Sequence, residues 1–309
     1  MKIWLNGSFV DDCEAKVSVF DAGLQHGVGL FETMIARNGN VFRADEHMER
    51  LAESAALLRL TEKLQIEPLI EALQLTLQEN NQTEARVRLT ITGGDFSMLQ
   101  RAESSESGDP TIIIQSQPPT EYPPSFFENG VLVSIASGRV NPYDFGAGHK
   151  TLQYWSKLLN LQFSAMQQCG EALCLTPSAH VTGGSVSNIF AVKNGTLCTP
   201  IARGEEGEED EPSAVLPGIT RRAVMNLAAD VGVGTNITPM TFDDVLTADE
   251  VFLTNSSWGV LPVVGVLAAI RGGDGSETQD RAIGEGGVGS LTNSFILAYQ
   301  ELVQQETRE

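Results

Sequence analysis

Four prolines, Pro118, Pro119, Pro123 and Pro124, interrupt the chain a little past its first third. A proline fixes φ and has no N–H to donate, so neither a helix interior nor a central strand runs through such a segment. The chain is therefore expected to fold as two domains, a smaller one over 1–118 and a larger one over 125–309, with 119–124 linking them. At 309 residues it is long enough for each to bury its own core.

Before the prolines, strand and helix patterns alternate. Residues 2–10 read as strands around a turn at Asn6-Gly7, and 16–20 as another short strand. The glycine-rich turn D-A-G-L-Q-H-G-V-G runs into L-F-E-T-M-I-A, a strand that stops at Asn38-Gly39. Its glycines lack the G-x-G-x-x-G spacing of a dinucleotide loop. Residues 42–60 repeat as a helix capped by Asp45, with His47, Leu51, Ser54 and Leu58 on one face and Arg50 beside it. Taken alone, Arg50 reads as a surface charge. A second helix covers 64–79. In A-R-V-R-L-T-I-T (85–92) a period of two puts Arg86, Arg88 and Thr90 on one face. Residues 104–110 read as loop, and the isoleucines of 111–115 as a central strand.

Beyond the prolines, 131–136 reads as a strand, followed by G-H-K-T-L-Q-Y-W-S-K-L-L-N-L-Q-F (148–163). Leu152, Trp155, Leu158, Leu159 and Phe163 fall at helical spacing, so that face is expected to be buried. Lys150 stands at the mouth of this helix. A partly apolar pocket there would lower its pKa and free the amine as a nucleophile; the same residue also reads as a lysine that snorkels into water. Residues 171–176 and 188–193 read as the strands of a hairpin, with V-T-G-G-S (181–185) as its turn. Six acids in the eight positions 204–211 read as a solvated loop. In L-P-G-I-T, before the helix 221–231, proline and glycine leave the first helical N–H groups aimed at one spot, which suits an anion. L-T-N-S-S-W follows the strand 250–253, 272–289 reads as an exposed connection, and 291–303 closes the chain as an amphipathic helix.

The net charge of −20 argues against nucleic acid or an anionic membrane as partner. An anionic ligand would need a local set of donors. No apolar run approaches the length that spans a bilayer, and the first ten residues lack an export pattern. Four cysteines without a C-x-x-C pair suggest the reduced thiols of a cytoplasmic protein rather than disulfides or a metal site.

Six segments, in this order and over nearly the whole length, resemble the class IV (fold-type IV) pyridoxal phosphate enzymes. That family includes the branched-chain and D-amino acid aminotransferases and aminodeoxychorismate lyase. The segments are D-A-G-L-Q-H-G-V-G-L-F-E-T, H-M-E-R-L with Ser54, H-K-T-L-Q-Y-W, G-G-S-V-S-N-I-F, L-P-G-I-T-R and T-N-S-S-W-G-V-L-P-V. The resemblance implies an α/β fold in α+β layers. A small domain would carry an antiparallel sheet with helices on one side, a larger domain a β-barrel-like sheet with helices, and pyridoxal 5′-phosphate would lie between them. It also implies that Lys150 carries the cofactor covalently and afterwards moves the proton at the substrate α-carbon. The phosphate would take bonds from Arg50, from Ile219 and Thr220 at the helix start, and from Ser256 with the Asn255 turn. Tyr154 would serve the 3′-oxygen, although the branched-chain enzymes have their tyrosine one position later, where this chain has Trp155. Phe31, Arg86 and Arg88 map to the substrate side. Arg88 is the better placed for a carboxylate, and it also reads as a solvent-facing strand arginine.

The activity implied is transfer of an amino group between an amino acid, branched-chain or similar, and a 2-oxo acid, by a homodimer. Release of pyruvate from aminodeoxychorismate is the alternative, and a cofactor-binding protein of reduced or no turnover a further one. The last arises at Gly183. The family places a glutamate there, whose carboxylate keeps the cofactor's ring nitrogen protonated and the ring an electron sink. Glycine supplies no such partner.

Overall fold

The computed structural model describes residues 1–95, 109–208, 210–272 and 275–308; residues 104–108 of the expected 104–110 loop lie outside them. The chain forms two compact units. The first comprises Met1–Thr120, His149–Gln153 and Leu302–Glu309, the second Glu121–Gly148 and Tyr154–Glu301.

The first unit contains β1 (Lys2–Leu5), β2 (Ser8–Asp11), α1 (Ala22–His26), β3 (Gly29–Arg37), β4 (Asn40–Val41), α2 (Ala44–Leu57), α3 (Ile66–Glu79), β5 (Ala85–Thr92) and β6 (Ile112–Gln117). Its strands form one antiparallel sheet in the order β2-β1-β6-β5-β3-β4. Asn6 and Gly7 both have positive φ, 47° and 92°, as a two-residue hairpin turn requires. The alternation of β5 is expressed directly. Ala85, Val87, Leu89 and Ile91 are sealed in a core with Met48 and Leu51 of α2 and Leu73 and Leu77 of α3, which leaves Arg86, Arg88 and Thr90 on the opposite face.

Three local expectations change. Residues 16–20 form no strand, and Val19 and Phe20 are exposed. The glycine-rich 21–29 segment holds a short helix, α1, capped by the Asp21 carboxylate, which accepts from Gly23 N–H (2.7 Å) and from the hydroxyls of Thr92 and Thr111 (2.7 Å each). Helix α2 is entered through Arg43 at φ 50° with no side-chain cap. Asp45 sits in its first turn, where a negative charge meets the positive end of the helix dipole.

The second unit contains α4 (Ser125–Glu128), β7 (Val131–Arg139), α5 (Trp155–Met166), β8 (Glu171–Leu175), β9 (Val181–Gly184), β10 (Asn188–Lys193), β11 (Thr196–Thr199), α6 (Ile219–Asp230), β12 (Thr235–Ile237), α7 (Phe242–Leu246), β13 (Glu250–Asn255), β14 (Gly259–Gly272) and β15 (Gly275–Ala282). Helix α8 (Ser290–Glu306) closes the chain. The strands make a curled mixed sheet in the order β12-β11-β10-β13-β14-β7-β8-β9, with β15 paired to β14. β7 runs parallel to β8 and β14, and β11 to β12. Val133, Leu173, Ile189, Leu253 and Val266 lie at the centre of its core.

The segment expected as a turn at 181–185 is largely strand. β9 pairs with β8, and the chain reverses at 185–187. β10 pairs with β11 and β13 rather than with β8. Within the expected 272–289 connection, Gly275–Ala282 is a strand. The described residues of the acidic 204–211 stretch are mostly exposed, as expected, but two of its acids are held. Glu205 makes a two-pronged ion pair with Arg221 (2.7 and 2.8 Å) and accepts from Ala202 N–H (2.8 Å), while Glu206 accepts from Ser213 N–H (2.7 Å). Of the apolar face expected to be buried, Leu159 and Leu152 (which precedes α5) are half-buried, whereas Trp155 is 74% exposed, Leu158 51% and Phe163 50%, with Met166 at 74% beside them. Helical spacing identifies an apolar stripe but not what covers it. No helix among the described residues is long and apolar enough to cross a membrane.

Candidate active site

In the first unit, His149–Gln153 runs antiparallel along the start of β3. Phe31 N–H donates to Lys150 O (3.0 Å) and Leu152 N–H to Gly29 O (2.9 Å). These bonds fix the backbone on both sides of Lys150 and set its side chain on the ring of Phe31, with Nζ 4.3 Å from the centroid. The Arg88 guanidinium lies 3.8 Å from the same centroid, and its Nε–H donates to Thr90 Oγ1 (3.1 Å). Phe31 is 3% exposed. One buried aromatic ring thus carries a primary amine and a guanidinium, held there by cation–π attraction. Arg86, two residues earlier on the same face, is instead bonded to Gln117 (2.6 Å) and Thr120 (3.4 Å).

Behind β3, Glu32 points to the helix side. Arg50 of α2 donates to its carboxylate through Nε (2.9 Å) and Nη2 (2.6 Å), and His47 Nδ1 meets Oε2 at 2.8 Å. Glu32 and His47 are both 1% exposed, and Arg50 7%. Burial alone would raise the Glu32 pKa, but the Arg50 charge and the His47 bond outweigh it and hold the carboxyl at about 2. His47 is pushed down, first by burial and further by the Arg50 and Lys150 charges, against the pull of Glu32. A neutral ring beside an ionised carboxylate donates its Nδ1–H. His149 Nδ1 pairs with Ser54 Oγ (2.9 Å), which ties the lysine segment to the same helix.

The second unit carries two donor turns. Gly218 is the N-cap of α6, and Ile219 and Thr220 open its first turn, both buried. The Thr220 hydroxyl meets Tyr299 OH at 3.4 Å. A side chain at 218 would collide with Asn188 Oδ1, so the glycine keeps this turn close to the start of β10. The other turn follows β13. Asn255 Oδ1 accepts from the N–H groups of Ser257 (2.8 Å) and Trp258 (3.0 Å), with Ser256 half-buried between. Two buried donors flank it, Thr254 Oγ1 and Trp258 Nε1, with no partner among the described residues. Tyr154 is the N-cap of α5, with Lys157 Nζ 5.0 Å over its ring. Gly183 has φ +126°, and a Cβ there would stand 2.6 Å from Ser187 O, so no other residue fits that backbone.

Comparison with known proteins decides what such a set belongs to. Residues 29–266 match the family model described as amino-transferase class IV. The chain belongs to the class IV aminotransferases. It is 30% identical over 314 residues to the Escherichia coli K12 branched-chain-amino-acid aminotransferase, covering 99% of this chain and 94% of the relative. It is 36% identical over 288 residues, 92% of each, to a Methanocaldococcus jannaschii protein whose branched-chain-amino-acid aminotransferase name is provisional. A solved structure of the T.th. branched-chain amino acid aminotransferase with pyridoxamine 5′-phosphate superposes with a TM-score of 0.84, at 26% identity, over 100% of this chain and 95% of that one.

This aminotransferase is therefore an enzyme of pyridoxal 5′-phosphate. The residues fit that cofactor: each donor turn offers polar hydrogens suited to a phosphate, one at a helix start and one beside two unsatisfied buried donors. When bound, the cofactor supplies an electron sink for the bond cleaved at the substrate α-carbon. Glu32, His149 and Glu171 stand outside the site residues expected from the sequence. For Glu32 the signal was available, since alternation puts it on the same face of β3 as Leu30, Met34 and Ala36, where a lone acid requires a buried cation.

Proposed function

We propose that this aminotransferase moves an amino group from a branched-chain or similar amino acid to a 2-oxo acid, with Lys150 as the group that carries the cofactor and then shuttles the α-proton. The observation that supports it best is the pairing on Phe31 of the Lys150 amine with the Arg88 guanidinium. An amine that must attack and later accept a proton stands beside a cation suited to a substrate carboxylate. Arg50, Ile219, Thr220, Asn255 and Ser256 are assigned to the phosphate, Tyr154 to the 3′-oxygen, and Phe31, Arg86 and Arg88 to the substrate side. Glu32 holds the Arg50 guanidinium by two of its N–H groups, which presents the arginine in one orientation. Position 183 offers no carboxylate to the ring nitrogen, so α-proton removal should be slow relative to an enzyme with glutamate there.

A cytoplasmic homodimer is part of this reading. Four unpaired thiols are consistent with a reducing compartment. The exposed stripe of α5 offers a second copy an apolar face, and α5 carries no acidic residue, so two copies of so acidic a chain meet there without acids of this helix opposed.

The test is spectroscopic. Protein reconstituted with pyridoxal 5′-phosphate should show a visible band of lysine-bound cofactor that is absent in Lys150→Ala. Leucine, alanine, glutamate and D-alanine are then added in turn. The true donor bleaches the band and yields its 2-oxo acid; a band that no donor bleaches overturns the aminotransferase assignment for these substrates.

A further inference from the structure

Beneath the 185–187 reversal lies a buried acid that the assigned roles do not use. Glu171 opens β8 with 0% exposure. One carboxylate oxygen accepts from Ala172 N–H (2.9 Å), the other from Val186 N–H and the Ser187 hydroxyl (3.2 Å each). The glycine at 184 makes this possible, since a Cβ there would stand 2.7 Å from Glu171 Cγ and collide with Ser187 Oγ. The same short segment braces both donor turns. Val186 O accepts from Asn255 Nδ2 (3.3 Å), whose Oδ1 organises the Ser257 and Trp258 N–H groups. Asn188 Nδ2 donates to Leu216 O (2.8 Å), just ahead of the Gly218 cap. One carboxylate thus fixes the segment from which both turns are held.

We propose that Glu171 is a positioning residue for phosphate binding, holding the 185–188 segment so that the turns at 218–220 and 255–258 keep their donor geometry. The inference rests on the assignment of those turns to the cofactor phosphate. Burial pushes the Glu171 pKa up to about 7, with the N–H and hydroxyl donors acting against it. The ionisable groups facing it are Lys157 of α5, itself pushed down by burial, and Cys174 of β8, pushed up by burial. The 185–188 segment contributes only hydroxyls, an amide and backbone groups. Once protonated, Glu171 presents a donor on one oxygen and can no longer accept on both sides, which is the state that Glu171→Gln reproduces.

The experiment titrates cofactor-free protein with pyridoxal 5′-phosphate and with pyridoxal, which lacks the phosphate, following the visible band from pH 6 to pH 8.5. Glu171→Gln should weaken binding of the phosphorylated form about tenfold at pH 8, as for loss of a bond to an ionised acceptor, and leave pyridoxal binding unchanged. The ratio of the two proteins' affinities should shrink toward one below pH 7, because the unmodified protein then carries a neutral Glu171 as well. Ser187→Ala, which removes one donor and keeps the charge, should shift the same quantity in the same direction by less, and it serves if the glutamine variant does not fold. Equal affinity of both proteins for the phosphorylated form, or an equal loss for both ligands at every pH, overturns the inference. If the unmodified protein binds pyridoxal 5′-phosphate no better than pyridoxal, the phosphate assignment itself has failed.

Discussion

Replacing Glu32 by glutamine leaves the shape of the first unit intact and removes the charge that compensates Arg50. Two independent routes give the cost. A carboxyl held at about 2 instead of its ordinary 4.5 favours the folded state through about 2.5 pK steps, worth about 3 kcal/mol. Leaving one member of a buried ion pair without its partner costs about 3–5 kcal/mol. Both point to a loss near 3 kcal/mol, which lowers the urea midpoint of the cofactor-free protein by about 1–2 M at ordinary m-values. The sign with pH follows from the depressed value. The contribution is complete above the unfolded pKa of 4.5 and disappears as pH falls through about 2. The gap between the two proteins should therefore hold constant from pH 7 to pH 5 and close in stronger acid. Removing both charges, Glu32→Leu with Arg50→Met, should recover most of the loss, since neither member is then stranded in the core. A glutamine variant within about 1 kcal/mol of the parent at pH 7 would refute the reasoning, because no buried pair of this geometry is so nearly neutral to break.

Gly183→Glu would supply in sequence the acid that the resemblance leads one to expect there. On a backbone at φ +126°, with Ser187 O in the way, it should cost about 1–3 kcal/mol and show as a lower melting temperature without faster turnover. Arg221→Met leaves Glu205 without its two-pronged partner, so amide protons of 202–206 should exchange faster and stability fall by about 2 kcal/mol. Trp155→Glu with Met166→Lys places charge on the exposed stripe of α5. If a second copy covers that stripe, the variant should sediment at half the mass of the parent, and an unchanged mass would remove α5 from the interface.

What the sequence conveyed and what it withheld differ in kind. Period-two and helical patterns located β5, α3 and α8 to within a residue or a few, because each exposes one face and buries the other. Lys150 and Arg88 were identifiable as chemistry, but not the fact that Phe31 carries both; that follows from an edge pairing between segments far apart in the chain. The hairpin assignment failed because β9 finds its partner in β8 while β10 turns to β11 and β13, and local spacing carries no record of which strand lies alongside. Glu171 was invisible for a similar reason. It heads a fully buried strand, and its role depends on a backbone N–H fifteen residues downstream and a hydroxyl sixteen residues downstream.

The first unit is not a continuous stretch of chain. It borrows His149–Gln153 and Leu302–Glu309 from beyond the proline segment, and the latter supplies the Glu306 carboxylate to Arg43 (2.9 Å) and Thr307 to Asn38 (3.2 Å). A gene cut at the prolines would thus yield a front half without its edge segment, Lys150 included, and without its 302–309 clasp. Domain exchange at that point should fail, and the front unit can close only once residues 302–309 have been synthesised.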